Sequence, residues 1–291
     1  MFSNRLGHLL ALFTIFVWGT TFISTKMLLH YLTPIEILFF RFSLAFIALC
    51  IFSPRQKIHI SLKREELYFA GAGLTGITLY FLFENIALVY SYASNVSIIL
   101  CMAPFFTALF AHLFLKTEKL TPSFFIGFLA AISGIALINF NSSTILQLNP
   151  LGDILALLAA AVWAVYSILI KKISLLNYST VLCTKKTFLY GLIFMLPCLP
   201  FFDFKLSSFD VHNLPLLLHI SYLGLGASAL CFATWNFSVK LLGAVKTSIY
   251  IYLTPVITII FSAWFLAEKI TPIALIGTAL TMIGLFIFER A

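Results

Sequence analysis

Ten times along its 291 residues the chain runs for roughly twenty residues with hardly a charge, and this feature decides its fold class. A helix gains about 1.5 Å per residue, and the hydrocarbon core of a bilayer is roughly 30 Å thick, so each run matches one crossing. The runs lie at 8–30, 34–53, 66–90, 94–116, 121–140, 151–173, 178–201, 214–238, 246–267 and 271–289. Inside lipid each backbone N–H and C=O needs a protein partner, which leaves helices and closed barrels. Because the runs are continuously apolar and do not alternate, helices are expected. The expected fold is therefore an all-α integral membrane protein of ten transmembrane helices. With 62% apolar and 10% charged residues, the composition excludes a water-soluble enzyme, a disordered chain and a disulfide scaffold. The short connections leave no room for a soluble head. The first run continues from Leu9 to Leu29, past Trp18 and Lys26, which is longer than the apolar core of a cleaved signal peptide. It is expected to be a span.

The basic residues set the expected orientation. Arg5, Arg55, Lys57, Lys63, Arg64, Lys116, Lys119, Lys171, Lys172, Lys240, Lys246 and Arg290 fall on the side of the two termini, and Lys205 and Lys269 on the other. Both termini are thus expected in the cytoplasm of a cell whose inner membrane holds the protein. The net charge of +8 is spent on topology and leaves no basic surface for nucleic acid. Cys50, Cys101, Cys183, Cys198 and Cys231 lie in or at the ends of runs, without metal-ligand spacing, and read as small apolar fillers. No metal site and no cofactor are expected.

The chain also repeats itself. Val17-Trp18-Gly19 and Lys26 recur at an offset of 145 as Val162-Trp163-Ala164 and Lys171. Asn85, Ala93 and Pro104 recur at an offset of 151 as Asn236, Ala244 and Pro255. Glu118-Lys-Leu-Thr-Pro122 recurs at 150 as Glu268-Lys-Ile-Thr-Pro272, together with Gly127 and Gly134 as Gly277 and Gly284. Two five-helix repeats are expected, 8–140 and 151–289. Five is odd, so the second copy enters the membrane upside down, the inverted arrangement of secondary transporters with a site between the halves.

These residues resemble a known family. The five-plus-five runs, the WGTTF segment at 18–22, Arg41-Phe42 in the second run and the E-K-(L/I)-T-P loops before the fifth and tenth look like the EamA branch of the drug/metabolite transporter superfamily. The resemblance covers about 8–289. It implies a ten-helix carrier of amino acids, nucleobases, cofactors or amphipathic compounds. It further implies a central cavity lined by spans 1, 3, 4, 6, 8 and 9, with spans 5 and 10 outside.

Ionisable groups within a bilayer are costly, so each is a candidate for function. Glu84 is the only acid read as deep in a span, with Tyr80 one turn before it and Ser91 two turns after it. It is the candidate for proton coupling; the alternative is a structural carboxylate paired with a lysine. Arg41 maps onto Lys186 at an offset of 145, which makes the two candidate cavity cations for a substrate carboxylate. The plainer reading has Arg41 and Lys26 snorkelling to the outer interface and Lys185 and Lys186 to the inner one.

Thr14, Trp18, Thr21 and Thr25 share one helical face, as do Ala159, Trp163 and Tyr166, and Ser228, Cys231, Trp235 and Ser238. Trp18, Thr21, Tyr80, Glu84, Asn85, Trp163, Tyr166, Trp235 and Asn236 are the candidate substrate-binding residues. Trp264 is assigned to an interface belt. Pro104 and Pro255 are expected to kink matching spans of the two halves, because proline removes a backbone donor and crowds the preceding turn. Gly127, Ala131, Gly134, Gly277, Thr281 and Gly284 form small-residue faces for close helix packing, or alternatively a homodimer seam. His112 and His219 read as structural. In the E-K-x-T-P loops, Thr caps and Pro opens the next helix. The expected activity is alternating-access transport of a small metabolite, outward, with a proton gradient as the candidate drive. An integral-membrane transferase would need a reactive constellation that the chain lacks, and a channel would need a continuous polar lining.

Overall fold

The computed structural model describes residues 2–53, 58, 60, 64–115, 122–141, 150–176, 178–268 and 270–289. Each of the ten apolar runs forms a helix: α1 (Phe2–Leu28), α2 (Pro34–Phe52), α3 (Glu65–Tyr90), α4 (Ala93–Phe114), α5 (Pro122–Asn141), α6 (Pro150–Ser174), α7 (Thr180–Phe202), α8 (Leu214–Leu242), α9 (Ala244–Phe265) and α10 (Pro272–Glu289). No strand occurs among the described residues. Eight of these helices are long and apolar enough to cross a membrane; the other two, α5 and α10, pack against each other.

The helix ends follow local chemistry. Thr33 and Glu36 close a capping box at the start of α2, Ser179 accepts the Leu182 N–H at 3.2 Å in α7, and Asn213 accepts the Leu216 N–H at 3.1 Å in α8. Gly243 separates α8 from α9 at φ +93°, a backbone that residues with a Cβ avoid.

Two kinds of irregularity recur in both halves. A π-helical stretch interrupts α3 at Leu74–Leu79 and α8 at Tyr222–Leu230. In α4 the helix stops at Cys101–Met102 and restarts with Pro104 in its first turn; in α9 it tightens to a 3₁₀ stretch, Ile249–Leu253, before Pro255. The expected proline interruptions are there, and each proline sits where its missing N–H costs nothing. The two breaks meet: Cys101 Sγ lies 3.5 Å from the Ile251 carbonyl.

Packing exchanges partners between the halves. α1 packs on α8 and α9, while α6 packs on α3 and α4; α2 lies along α8, and α7 along α3. This pattern maps onto itself when the halves are swapped, with the α4–α9 and α5–α10 contacts on the axis. Without water between helices, close fit rather than hydrophobic transfer holds them together. At α5–α10 a Cβ on Gly134 would lie 2.5 Å from the Gly277 carbonyl. That small-residue face is therefore used inside the chain and is not a dimer seam; the side chain of Ala131 lies outside the described residues.

Candidate functional site

Where the breaks of α4 and α9 meet the middles of α1, α3 and α6, a cavity remains, with about 490 Å³ of empty space counting its mouth. α1 supplies Ile15, Trp18, Thr21 and Phe22 from one face, and α2 supplies Arg41. α3 supplies Tyr80, Phe81 and Glu84 immediately beyond its π-helical stretch. Leu100, Ala103, Ile251 and Thr254 come from the two helix breaks, and Trp163 from α6. Of the helices the resemblance implies, α8 adds no wall residue; α2, outside that set, adds Arg41, one of the two candidate cavity cations.

The polar groups of this lining are nearly sealed from outside. Arg41 is 1% exposed: its Nε donates to Ser228 Oγ at 2.6 Å, and its guanidinium carbon sits 4.3 Å from the centre of the Phe81 ring. Its Nη1 is buried without a hydrogen-bond partner. Glu84, 2% exposed, shares the lining with Tyr80, one helical turn before it. Arg41 and Glu84 attract each other across the site but form no ion pair. Trp18 donates its indole N–H to the Ala227 carbonyl at 2.9 Å, whereas the Trp163 indole N–H is buried without a partner. The rings of Trp18 and Trp163 meet edge-on at 5.3 Å, and Tyr80 lies 4.7 Å from Trp163. Thr21 is satisfied locally by the Trp18 carbonyl.

The structure thus brings Trp18, Thr21, Arg41, Tyr80, Glu84 and Trp163 together. It keeps the other candidates out of the lining. Asn85 donates to the Pro34 carbonyl at 3.1 Å and so ties α3 to α2. Tyr166 donates to Asn236 Oδ1 at 2.8 Å, and Asn236 donates to Thr184 at 3.1 Å, a network behind the wall. Trp235 stacks on Trp18 from behind at 5.0 Å.

The snorkelling expectation fails for Arg41, which lies in the cavity, and Lys186 is not a cavity cation. It is buried in an ion pair with Glu66 under the ring of Phe69, and Tyr190 donates to the same carboxylate at 2.8 Å. The repeat offset fails here because the Glu66 partner has no carboxylate at the corresponding place beside Arg41. Beside Glu84, Glu36 and Glu66 are also buried acids among the described residues, both at the starts of runs in the sequence reading. Lys26 donates to the Leu88 and Ser91 carbonyls at the end of α3, and Lys185 to Ser53 O at 2.6 Å. Trp264 is 77% exposed, as suits an interface position.

Sequence reasoning missed one contact. Glu268, in the second E-K-x-T-P loop, accepts hydrogen bonds from Ala93 N at 2.9 Å, Ser94 N at 3.3 Å and Ser94 Oγ at 2.7 Å, clasping the start of α4. Ala267 before it is held at φ +52°. The recurrence of Ala93 and of the E-K-x-T-P loop was the available signal. The first loop, with Glu118 and Thr121, lies outside the described residues, as do Arg55, Lys57, Lys63, Lys116, Lys119, Lys269 and Arg290.

An all-helical membrane fold of two interlocked halves, with broken helices meeting at an amphipathic cavity, is the architecture of a carrier. The profile of the EamA-like transporter family matches residues 5–140 and again 150–289, and the chain belongs to that family. It is 29% identical to an uncharacterized transporter of Archaeoglobus fulgidus, over 98% of this chain and 97% of the other. It is 27% identical to a probable amino-acid metabolite efflux pump of Escherichia coli K12 (98% and 95% covered) and to a probable terminal-alkyne amino-acid exporter of Streptantibioticus cattleyicolor (95% and 91%). A crystal structure with 18% identity superposes with a TM-score of 0.71 over 99% of this chain and 98% of that one, which shows the fold.

Proposed function

We propose that this transporter exports small metabolites, amino acids or related amphipathic compounds, across the inner membrane by alternating access between its two repeats, 8–140 and 151–289. The observation that carries this reading is the central cavity, in which aromatic walls surround one buried cation and one buried carboxyl. An amphipathic solute finds an apolar wall and polar anchors there, while a channel would need a wet, continuous path. That two relatives are a probable amino-acid exporter and a probable amino-acid metabolite efflux pump supports the substrate class and the direction. In this reading both termini are cytoplasmic, from the lysine and arginine distribution. Glu84 couples transport to protons, because it is the acid of the lining and forms no ion pair with a lysine among the described residues. The protein acts as a carrier and not as an enzyme; among the described residues no group of His, Cys, Asp and Glu could hold a metal.

The test is counterflow in proteoliposomes loaded with an amino-acid mixture. Labelled substrate should accumulate transiently against its own gradient, saturate, and depend on internal substrate. Flux that is linear in concentration and indifferent to the trans side would overturn the carrier reading.

A further inference from the structure

We infer that Arg41 and Trp163 form a carboxylate subsite in the central cavity, so that the compound bound there carries a free, singly charged carboxylate. The inference rests on the cavity being the substrate site and goes beyond it by assigning the polar end of the substrate.

Arg41 is as buried as the hydrophobic core, yet no carboxylate among the described residues pairs with it. A buried cation without a counter-charge is costly to maintain. Only three things offset that cost here: Ser228, the faces of Phe42 and Phe81, and the more distant charge of Glu84. One guanidinium donor, Nη1, is left with nothing to bond. The same lining holds a second unused donor, the indole N–H of Trp163. Trp18 satisfies its own N–H on a backbone carbonyl, and the indole N–H of Trp235, behind the wall, is also buried without a partner, so what singles out Trp163 is that its idle donor belongs to a residue of the lining shared with Arg41. Two idle donors, one of them charged, suit an anion with two acceptor oxygens.

The neighbourhood narrows the anion further. Glu84 lies on the same lining, so a dianionic phosphate ester would meet one positive and one negative group, whereas a carboxylate can take Arg41 and leave Glu84 to an ammonium or a proton. A simple amine would face Arg41 with nothing to offer its idle donor. The aromatic wall then holds the apolar part of the molecule.

The full chain, purified in detergent, would be titrated with four probes that share a phenyl ring: phenylalanine, 3-phenylpropionate, phenylalaninamide and phenethylamine. Binding is read from tryptophan fluorescence and from the shift in melting temperature. Phenylalanine and 3-phenylpropionate should bind at least about tenfold more tightly than the two probes without a carboxylate, by the usual penalty for leaving a charged donor unmet. Arg41→Gln should abolish that preference, and Arg41→Lys should keep only part of it. Trp163→Phe keeps an aromatic six-membered ring but loses the pyrrole half of the indole with its N–H, so beyond a loss of wall contact shared by all four probes it should weaken the carboxylates about five- to tenfold more than the amines, even if Arg41→Gln fails to fold.

Equal binding of amine and acid, binding of neither carboxylate, or wild-type selectivity in Trp163→Phe would overturn the subsite. Carboxylate-selective binding in a protein that shows no counterflow would keep the subsite and remove the carrier reading. Counterflow without carboxylate preference would do the reverse.

Discussion

Replacing Glu268 with alanine should tilt the protein towards the conformation open on the side where α1 ends. The carboxylate makes three hydrogen bonds to the first residues of α4, and it reaches from the second half of the chain to the first. Hydrogen bonds to a charged group contribute roughly 1.5–3 kcal/mol when buried. At this half-exposed site about 1 kcal/mol each is appropriate, or about 3 kcal/mol for the clasp. Releasing the clasp also relieves Ala267 from its left-handed backbone at φ +52°, which returns about 1–2 kcal/mol. The net cost to the closed state is about 1–2 kcal/mol, and at 1.4 kcal/mol per decade this is roughly a five- to thirtyfold change in population. The assay replaces the five natural cysteines, places one cysteine at Ala103 in the cavity wall, and measures its labelling by a membrane-impermeant maleimide applied from outside. Labelling should quicken by that factor in Glu268→Ala. An unchanged rate in a variant that melts like the parent, or slower labelling, would refute the clasp.

Other expectations follow from the same contacts. Lys186→Met strands the Glu66 carboxylate in the interior and should destabilise the fold by about 3–5 kcal/mol, whereas Lys186→Met with Glu66→Leu should recover most of it; thermal melts of the two variants decide. Glu84→Gln should abolish transport driven by a pH gradient while substrate exchange persists, and equal loss of both would make Glu84 structural. Gly134→Leu cannot fit against the Gly277 carbonyl and should separate α5 from α10, lowering the melting temperature by several degrees.

The spans and the proline breaks were legible because both answer to strong, local rules. Twenty apolar residues in lipid have few options, and a proline cannot sit within an unbroken helix. The repeat was legible for a related reason, since its landmarks, Trp18 and Trp163 or Pro104 and Pro255, keep their order. Side-chain direction was not legible. Asn85 and Asn236 share a repeat position with Glu84 one residue away, yet a step of one on a helix is about 100°, enough to turn an amide from the cavity to a backbone carbonyl or a neighbouring hydroxyl. The π-helical stretch just before Tyr80 shifts that phase again, and nothing in its residues, Leu74 to Leu79, announces it. Arg41 and Lys186 show the other limit. An offset in the sequence cannot assign their roles, because a cation's role depends on the partner opposite, and Lys186 has Glu66.

The central claim is that one cavity serves both sides of the membrane in turn. Its most direct measurement is labelling of a cysteine at Ala103 from each side, with and without bound substrate, in membranes of known orientation. The account predicts that the residue is reachable from either side, that substrate slows labelling from both, and that Glu268→Ala raises the outside rate while lowering the inside rate. A residue reachable from one side only, or from both sides at rates that rise together, would contradict it.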